Sequence, residues 1–306
     1  MPTENDKTIP IGNKEVKCTN LNKIYWPEEQ ITKNELIDYY LRMGKYLLPY
    51  LKNRPQSLNR HPDGIKGESF FQKDMHVASL PDWAKTARIY SSSNDKYIHY
   101  LLCNDLATLI YMANLGCIEI NPWHSTYDNP DNPDYLVLDL DPEDIAFTEV
   151  VTTALVIKNI CDELNITCCC KTSGATGLHI YIPMAAKYTY DEAKIFTELL
   201  AKMAHKRLPE TTSIERSLSK RKNKVYIDFL QNRKGQTIAA PYSVRPRPLA
   251  TVSAPLNWHE VNPTLSPQLF TMYTIEDRIQ QVGDLWKGIL GKGINLQKLL
   301  KEMQKV

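Results

Sequence analysis

The sequence predicts a mixed α/β protein of the α+β class, in which helices cover part of a sheet. Segments with helical periodicity alternate with short apolar runs typical of strands, and no linker-like or low-complexity segment separates them. The composition agrees, because 42% hydrophobic and 24% charged residues in a chain of 306 describe a globular protein and not a disordered or fibrous one.

The predicted helices begin and end at recognisable signals. Thr32 and Glu35 form a Thr-x-x-Glu capping box before the first helix, and Asn104 is placed to cap the second, which stops at Gly116. Helices are predicted over residues 32–51, 105–116, 148–165, 190–208 and near 275–290. Strands are predicted in YLVLDLDP (135–142), ITCCCKTS (166–173), LHIYIPM (178–184) and VYIDFL (225–230), with strands and turns over residues 53–74.

Cysteine usage and the absence of apolar runs indicate the compartment. Seven cysteines, three of them adjacent at 168–170, predict buried thiols in a reducing cytoplasm and not a disulfide framework. A zinc site is the alternative, but the other four cysteines offer no CxxC or CxH spacing. No run approaches the roughly 18 apolar residues of a membrane helix, and the first residues do not read as a secretion signal. We expect a cytoplasmic protein with no membrane partner.

Acidic residues occur in two predicted strands. Asp139 and Asp141 alternate along one strand and therefore share a face, and Pro142 is expected to end that strand at once. Asp228 is a single acid among apolar neighbours in another strand, where acids are disfavoured. Since adjacent carboxylates repel, the three acids predict a site for two divalent cations roughly 3.5–4 Å apart. The alternative is that the first two acids cap a turn and Asp228 pairs with a lysine.

A glycine-containing turn joins two of the predicted strands. It spans Lys171–His179 (KTSGATGLH), and its glycines allow the backbone to approach a ligand, while Ser173 and exposed amides are suited to phosphate oxygens. A plain hairpin explains the segment equally well. Neither a Walker A loop nor a GxGxxG fingerprint is present.

Positive charge is concentrated on both sides of Asp228. One cluster spans Arg216–Lys224, and the other is Arg245 and Arg247, whose spacing of two allows both guanidinium groups to face one phosphate chain. A charge run is usually a solvated face. Beside a predicted metal site it favours a polyphosphate or a nucleic-acid backbone as partner, although the net charge is only +2.

Taken in order, these motifs resemble the polymerase domain of bacterial ATP-dependent DNA ligase D, a branch of the archaeo-eukaryotic primase superfamily. The three catalytic motifs are DLDP (139–142), SGATGLH (173–179) and YIDFLQNRKGQTIAAPYSVRPRP (226–248). Earlier matches are NLNKIYWP (20–27), ITKNELIDYY (31–40), RHPDG (60–64) and FFQKD (70–74). The resemblance runs from about Leu21 to Trp258 and implies a primase-polymerase fold with an RRM-like catalytic sheet flanked by helices.

The resemblance implies roles for individual residues of the nucleotide site. Two catalytic cations, Mn²⁺ in preference to Mg²⁺, are held by Asp139, Asp141 and Asp228. The triphosphate of the incoming nucleotide is held by Ser173, His179, Arg245 and Arg247. Phe71, or its neighbour Phe70, stacks on a base, as sequence-tolerant aromatic platforms do. Without the resemblance, one of the two adjacent phenylalanines is expected in the core.

The resemblance also implies a DNA-end site. The 5′-phosphate of a gapped or broken end is bound by Asn20, Lys23 and Lys33, and Arg221 contacts a template or active-site phosphate. Read alone, Lys33 is a solvated residue in the first turn of a helix and Asn20 an ordinary turn residue. Three positions depart from the family pattern: Asn121, Thr176 and Asn59 stand where a histidine, a lysine and a basic residue are common.

As a domain arrangement, residues 1–18 are expected to form a flexible N-terminal tail, and residues 19–306 one catalytic domain. Within it, residues 19–95 carry the end-binding elements and residues 96–306 the catalytic part.

The implied activity is template-directed nucleotidyl transfer. Nucleotides, with ribonucleotides preferred, are added to a primer 3′-hydroxyl at DNA gaps or breaks during non-homologous end joining in the bacterial nucleoid. The implied partners are 5′-phosphorylated DNA ends, NTP or dNTP, Ku and a DNA ligase. No KxDG ligase motif is present, so sealing is expected from another chain or from a removed portion of this one. The alternatives are a de novo primase and a non-catalytic DNA-end-binding module.

Overall fold

The computed structural model describes residues 6–91 and 94–303. The chain divides into two compact units, each built from several chain segments. Unit 1 comprises the described residues of Met1–Asp128, Thr237–Ser253 and Phe270–Arg278. Unit 2 comprises those of Asn129–Gln236, Ala254–Leu269 and Ile279–Val306. This division into two units differs from the expected division of the catalytic domain at residue 95. After leaving unit 1 at Asp128, the chain returns to it twice.

Unit 1 combines small sheets with two helices. Its strands and helices are β1 (Lys7–Ile11), β2 (Lys14–Cys18), β3 (Ile24–Trp26), β4 (Ile31–Thr32), α1 (Lys33–Leu51), β5 (Leu58–Arg60), β6 (Phe70–Gln72), β7 (Lys85–Ser91), β8 (Lys96–Leu102), α2 (Leu106–Asn114) and β9 (Cys117–Glu119). Strands β6, β5 and β9 form a three-stranded sheet, while β1–β2, β3–β4 and β7–β8 are antiparallel pairs.

The start of the chain is more ordered than the sequence predicts. Strands β1 and β2 form an antiparallel hairpin with Lys7 opposite Cys18. Val16 and Cys18 alternate along β2 and are buried, and β2 packs against α2. The expected flexible tail is therefore wrong for residues 7–18, because this period-two pattern buries one side of the hairpin. Residues 1–5 lie outside the described part of the chain.

The capping signals of unit 1 are confirmed at one helix and corrected at the other. At α1, the Thr32 hydroxyl accepts the Glu35 N–H, and the Glu35 carboxylate accepts the Thr32 N–H at 2.7 Å, as the capping box predicts. At α2, Asp105 and not Asn104 is the N-cap, since its carboxylate accepts the Thr108 N–H at 2.9 Å. The Asn104 side chain instead accepts the Asn53 N–H at 2.6 Å.

Unit 2 is built on one six-stranded sheet. Its elements are β10 (Tyr135–Glu143), α3 (Phe147–Glu163), β11 (Cys169–Thr172), β12 (Leu178–Pro183), α4 (Tyr190–Arg207), β13 (Thr212–Ser213), β14 (Lys224–Asp228) and β15 (Pro255–Leu256). Helix α5 (Ile275–Val282) contains residues of both units, and α6 (Leu296–Met303) follows in unit 2.

The strand order of this sheet confirms the predicted fold class. The order is β13-β14-β10-β12-β11-β15, antiparallel throughout except between β13 and β14. The succession β10, α3, β11, β12, α4, β14 is a β-α-β-β-α-β unit, the split βαβ arrangement of RRM-like domains. Helices α3 and α4 contact each other and β10. The sheet is thus RRM-like with helices against it.

Two predicted boundaries are wrong. Strand β10 continues through Pro142 to Glu143, because Pro142 and Glu143 stay in register with Val225 and Lys224 of β14. The last predicted helix is shorter than expected, since α5 ends at Val282 and Gly283 follows in a left-handed conformation with φ of 75°. Among the described residues, no helix has the length and apolarity that crossing a bilayer requires.

Candidate active site and phosphate pocket

Four ionisable side chains lie in one row across the sheet of unit 2. Lys171 of β11 is opposite His179 of β12, and His179 is opposite Asp139 of β10. On its other side, Asp139 is opposite Asp228 of β14. Residues directly opposite on neighbouring strands project to the same face about 5 Å apart. The register alone therefore brings together these four residues, which we call the cross-sheet row.

Close polar contacts connect three members of the cross-sheet row. The Nζ atom of Lys171 lies 2.8 Å from Nδ1 of His179. The Nε2 atom of the same ring lies 3.2 Å from Oδ1 of Asp139. All three side chains are buried. The imidazole of His179 therefore bridges an ammonium group and a carboxylate in a region sheltered from water.

Asp228 is held by its own strand end. Its Oδ1 accepts the Leu230 N–H at 2.8 Å and the Tyr226 hydroxyl at 3.2 Å. Burial raises the pKa of the Asp228 carboxyl, and the neighbouring charge of Asp139 raises it further, although the Leu230 and Tyr226 hydrogen bonds act in the opposite direction. Two carboxylates at this separation thus resist being ionised together.

Asp141 lies two residues beyond Asp139 on the same strand, and it is exposed. The glycine turn runs past it, because a Cβ atom at Gly177 would lie 2.2 Å from the Leu140 carbonyl oxygen and 3.5 Å from Oδ1 of Asp141. Only glycine allows this approach of the turn to β10. The acidic strand end and the glycine turn are therefore neighbours.

Ser173 organises the turn itself. Its Oγ accepts the N–H groups of Ala175 and Gly177, each at 3.0 Å, and its own N–H donates to the Gly177 carbonyl at 2.9 Å. The expectation that the turn presents exposed amides is therefore wrong for these two groups, since the serine side chain occupies them. Gly174 supplies the left-handed residue, with φ of 72°.

The donor chemistry of the acidic cluster fits divalent cations. Carboxylate oxygens are ligands that Mg²⁺ and Mn²⁺ prefer, and a cation would relieve the repulsion between Asp139 and Asp228. Within residues 6–91 and 94–303, no group of three or more His, Cys, Asp and Glu side chains is arranged so as to hold a metal ion. Asp139 and Asp228 are thus cross-strand neighbours, but the three carboxylates do not form a closed ligand set.

Unit 1 contains the residues predicted to bind a 5′-phosphate, and they line one cavity. The cavity has a volume of about 270 Å³. Its walls are formed by Thr19, Asn20, Lys23, Tyr25, Lys33, Arg60, Pro62, Asn114 and Leu115. The structure therefore brings together Asn20, Lys23 and Lys33, with Arg60 as a further cation.

The two lysines of this cavity differ in their surroundings. Lys33 is only 4% exposed and donates to the Thr19 carbonyl at 2.7 Å, so the alternative of a solvated lysine is wrong. Burial is the main cause that lowers the pKa of Lys33 to about 8. Cys18 and Asp6 raise this pKa, whereas the charges of Lys23 and Arg60 lower it further. Lys23 is more exposed and pairs with Asp63 at 2.5 Å. An anion in the cavity would therefore stabilise the charged form of Lys33.

The predicted stacking residues are both on the surface of unit 1. Phe70 is 47% exposed and Phe71 is 62% exposed, both on strand β6, which is an edge of its sheet. The expectation that one of them belongs to the core is therefore wrong. The guanidinium carbon of Arg60 lies 5.2 Å from the centre of the Phe70 ring, within the range of a cation–π contact.

The predicted phosphate-binding arginines are in different environments. In unit 1, Nε of Arg245 donates to Oε2 of Glu119 at 2.6 Å in a largely buried pair, whereas Arg247 is exposed. In unit 2, Nε of Arg221 donates to the Glu215 carbonyl at 2.7 Å, and its guanidinium stacks 3.4 Å above the Tyr226 ring.

Three residues that contact the predicted site residues were not predicted from the sequence. Lys171 contacts His179, Tyr226 contacts Asp228, and Glu119 pairs with Arg245. A signal existed for Tyr226, because it lies two positions before Asp228 and so shares its face. The other two contacts depend on strand register and on a pairing 126 positions apart in the sequence.

Comparison with known proteins identifies the class as the nucleotidyltransferases of the primase-polymerase type. The chain belongs to the family described as "LigD, primase-polymerase domain", which matches residues 32–286. It is 37% identical over 272 residues to the bifunctional non-homologous end joining protein LigD of Bacillus subtilis (strain 168), covering 88% of this chain and 43% of that protein.

Two further similar proteins support this family assignment. The multifunctional non-homologous end joining protein LigD of Mycolicibacterium smegmatis is 31% identical over 274 residues, covering 88% of this chain and 35% of that protein. A solved structure, the polymerase domain from Mycobacterium tuberculosis ligase D in complex with DNA, superposes with a TM-score of 0.84 at 27% identity and covers 91% of this chain and 99% of that one. The chain thus spans less than half the length of these two LigD proteins and almost the whole of the solved domain.

Proposed function

We propose that the chain is a template-directed nucleotidyltransferase that extends a primer 3′-hydroxyl at DNA gaps or breaks, with ribonucleotides preferred. The observation that carries the proposal is the direct cross-strand pairing of Asp139 with Asp228 in an RRM-like sheet. The relatives are named as non-homologous end joining proteins, and the solved neighbour is a polymerase domain in complex with DNA. Both support a DNA substrate for this chain.

The acidic side chains are proposed to hold two divalent cations, with Mn²⁺ favoured over Mg²⁺. Asp139 and Asp228 supply oxygens from neighbouring strands, and Asp141 supplies a third carboxylate from the end of β10. When bound, such cations stabilise the attacking and leaving oxygens of an in-line displacement at phosphorus. These three carboxylates would supply oxygen ligands to the cations.

The residues around the acids position the reacting groups. His179, whose Nε2 lies 3.2 Å from Oδ1 of Asp139, is proposed to bind the triphosphate beside that carboxylate. Ser173 keeps the glycine turn closed beside Asp141, where a triphosphate is proposed to lie. Arg245 and Arg247 are proposed to bind the triphosphate, and Arg221 a template or active-site phosphate. Phe71 is exposed enough to stack on a base without reading its identity.

The cavity of unit 1 is proposed to bind the 5′-phosphate at the far side of a gap. Lys23 and Lys33 face it together with Asn20, and Arg60 adds a planar guanidinium that suits phosphate geometry. Binding requires that Lys23 exchange its ion pair with Asp63 for the phosphate, which is feasible because exposed ion pairs contribute little, about 0–1 kcal/mol. The proposed setting is end joining in the bacterial nucleoid with Ku and a ligase as partners.

The test is primer extension on a duplex with a short gap, comparing NTP with dNTP, Mn²⁺ with Mg²⁺, and a 5′-phosphate with a 5′-hydroxyl downstream of the gap. We expect Mn²⁺-dependent incorporation, faster with NTP and enhanced by the 5′-phosphate. The matched variants are Lys23→Met with Lys33→Met, which should abolish the 5′-phosphate effect while leaving incorporation on a 5′-hydroxyl substrate.

Each alternative gives a different result in the same experiment. Synthesis on unprimed single-stranded circles would identify a de novo primase. Binding of 5′-phosphorylated ends without incorporation under any metal would identify a non-catalytic end-binding module. Equal extension of 5′-phosphate and 5′-hydroxyl substrates by the wild type would show that the cavity of unit 1 has another role.

A further inference from the structure

The cross-sheet row contains a residue that the proposed function does not use. Lys171 is 0% exposed and lies on strand β11 of the sheet of unit 2, between β12 and β15. A lysine is rarely fully buried, because removing its charge from water is costly unless partners compensate. Its Nζ lies 2.8 Å from His179 Nδ1 and 5.6 Å from the centre of the Tyr181 ring. The ammonium group is therefore directed at the histidine.

The chemistry of the two groups sets the direction of the hydrogen bond between them. An ammonium group has three donors and no acceptor, so His179 Nδ1 must accept. A neutral imidazole then carries its proton on Nε2, which lies 3.2 Å from Asp139 Oδ1, an acceptor. Lys171 thus anchors one side of the ring, and the nitrogen on the other side lies next to the carboxylate.

We propose that Lys171 is a positioning residue, which holds the His179 ring with Nε2 next to Asp139 in the catalytic site. The inference rests on the proposed function for its effect on rate, but the orientation of the ring is a property of the protein alone. Partners that orient a ligating or catalytic group from behind commonly change activity by about 10–100-fold when they are removed.

The test combines a spectroscopic and a kinetic measurement on the whole chain. The replacement Lys171→Met keeps the stem and removes the donors. The control is Cys169→Ala on the same strand, whose cross-strand partner is Tyr181 and not His179. Long-range ¹H–¹⁵N spectra of the histidine rings, assigned with His179→Gln, report which ring nitrogen carries the proton and whether the other accepts a hydrogen bond.

For the wild type, we expect His179 with protonated Nε2 and an Nδ1 that accepts a hydrogen bond. In Lys171→Met, the Nδ1 resonance should move toward the chemical shift of a ring nitrogen that accepts no hydrogen bond. The kcat for incorporation should fall about 10–100-fold, with a smaller change in the KM for nucleotide. The thermal unfolding midpoint should fall, because Lys171→Met leaves the buried Nδ1 of His179 without its donor. Cys169→Ala should change neither signal nor kcat.

Two results would overturn the proposal. One is a wild-type His179 that carries a proton on Nδ1, which decides the matter even if Lys171→Met does not fold. The other is a folded Lys171→Met protein whose Nδ1 resonance and kcat match those of the wild type. Failure of the proposed function is distinguishable, because a wild type without incorporation activity still gives the spectrum that tests the orientation of His179.

Discussion

Asp139 and Asp228 face each other directly across strands β10 and β14, with His179 on the other side of Asp139. Like charges directly opposite in a sheet destabilise it, so this pairing works against the stability of the fold. The raised pKa of Asp228 has burial as its main cause and Asp139 as a further one. This pairing supports the cation site that we propose.

Removing one of these charges should stabilise the metal-free protein. The pKa of Asp228 is higher in the folded state than its ordinary value of 3.8, so the folded state binds more protons and stability falls as pH rises through this range. At neutral pH, Asp228→Asn is therefore expected to stabilise the fold by roughly 0.2–1 kcal/mol. Denaturant unfolding in the presence of a chelator measures this difference.

Addition of Mn²⁺ should make the wild type more stable than Asp228→Asn. Binding to the folded state alone raises stability with ligand concentration, and only the wild type retains all three carboxylates. If Asp228→Asn is less stable than the wild type in the presence of a chelator, the Asp228 carboxylate stabilises the fold, which would contradict this prediction.

Recognition of a 5′-phosphate should depend on pH through Lys33. Its pKa is lowered from 10.5 to about 8, so the free protein loses this charge as pH rises through 8. The affinity advantage of a 5′-phosphorylated gap over a 5′-hydroxyl gap should therefore be large at pH 7 and small at pH 9, measured by fluorescence anisotropy. Between pH 8 and 10.5 the unfolded chain binds more protons at this group, so its contribution to stability rises with pH.

The variant Lys33→Met controls for other effects of pH on DNA binding. It should show little preference for the 5′-phosphate at either pH, while its affinity for the 5′-hydroxyl duplex stays close to that of the wild type. A preference of the wild type that is equal at pH 7 and pH 9 would contradict the role given to Lys33.

The closeness of the glycine turn to β10 can be tested with one methyl group. In Gly177→Ala the new Cβ would lie 2.2 Å from the Leu140 carbonyl, so the turn must move. We expect a loss of about 1–3 kcal/mol in unfolding free energy and a marked loss of incorporation. Gly288→Ala is the matched control, since no atom lies within 4 Å of its Cβ position. Equal behaviour of the two variants would refute the crowded geometry at Gly177.

The Arg245–Glu119 pair predicts that an arginine deletion affects more than nucleotide binding. Arg245→Met leaves Glu119 largely buried without its cation, so a loss of roughly 3 kcal/mol in stability is expected. The double variant Arg245→Met with Glu119→Gln should recover most of that stability but not nucleotide affinity. Urea unfolding and nucleotide-binding titrations separate the two effects, and recovery of affinity in the double variant would exclude Arg245 from the nucleotide site.

Sequence patterns among residues close together in the chain predicted much of the fold. The Thr32–Glu35 capping box, the alternation of Asp139 and Asp141, and the periodicity of the main helices all depend on residues within one turn or two strand positions of each other. The hairpin of β1 and β2 was missed because its polar, half-exposed strands resemble an unstructured tail in sequence. Its stability comes from packing against α2, which local propensity does not contain.

The candidate site was predicted in its residue types but not in its contacts. The acids, Ser173 and His179 stand out as motifs, whereas the position of His179 between Lys171 and Asp139 follows from the register of three strands. Register depends on the whole sheet, and a shift of one residue would place these side chains on the opposite face. The burial of Lys33 and the pairing of Arg245 with Glu119 likewise depend on segments distant in the sequence.

The most direct measurement of the central claim is Mn²⁺-dependent incorporation of a labelled ribonucleotide on a gapped duplex by the wild type and by Asp139→Asn, with DNA affinity measured on the same samples. Loss of several kcal/mol of cation stabilisation corresponds to a fall of about 10³-fold or more in rate. We predict that fall with DNA affinity unchanged. Incorporation by Asp139→Asn at the wild-type rate would contradict the account.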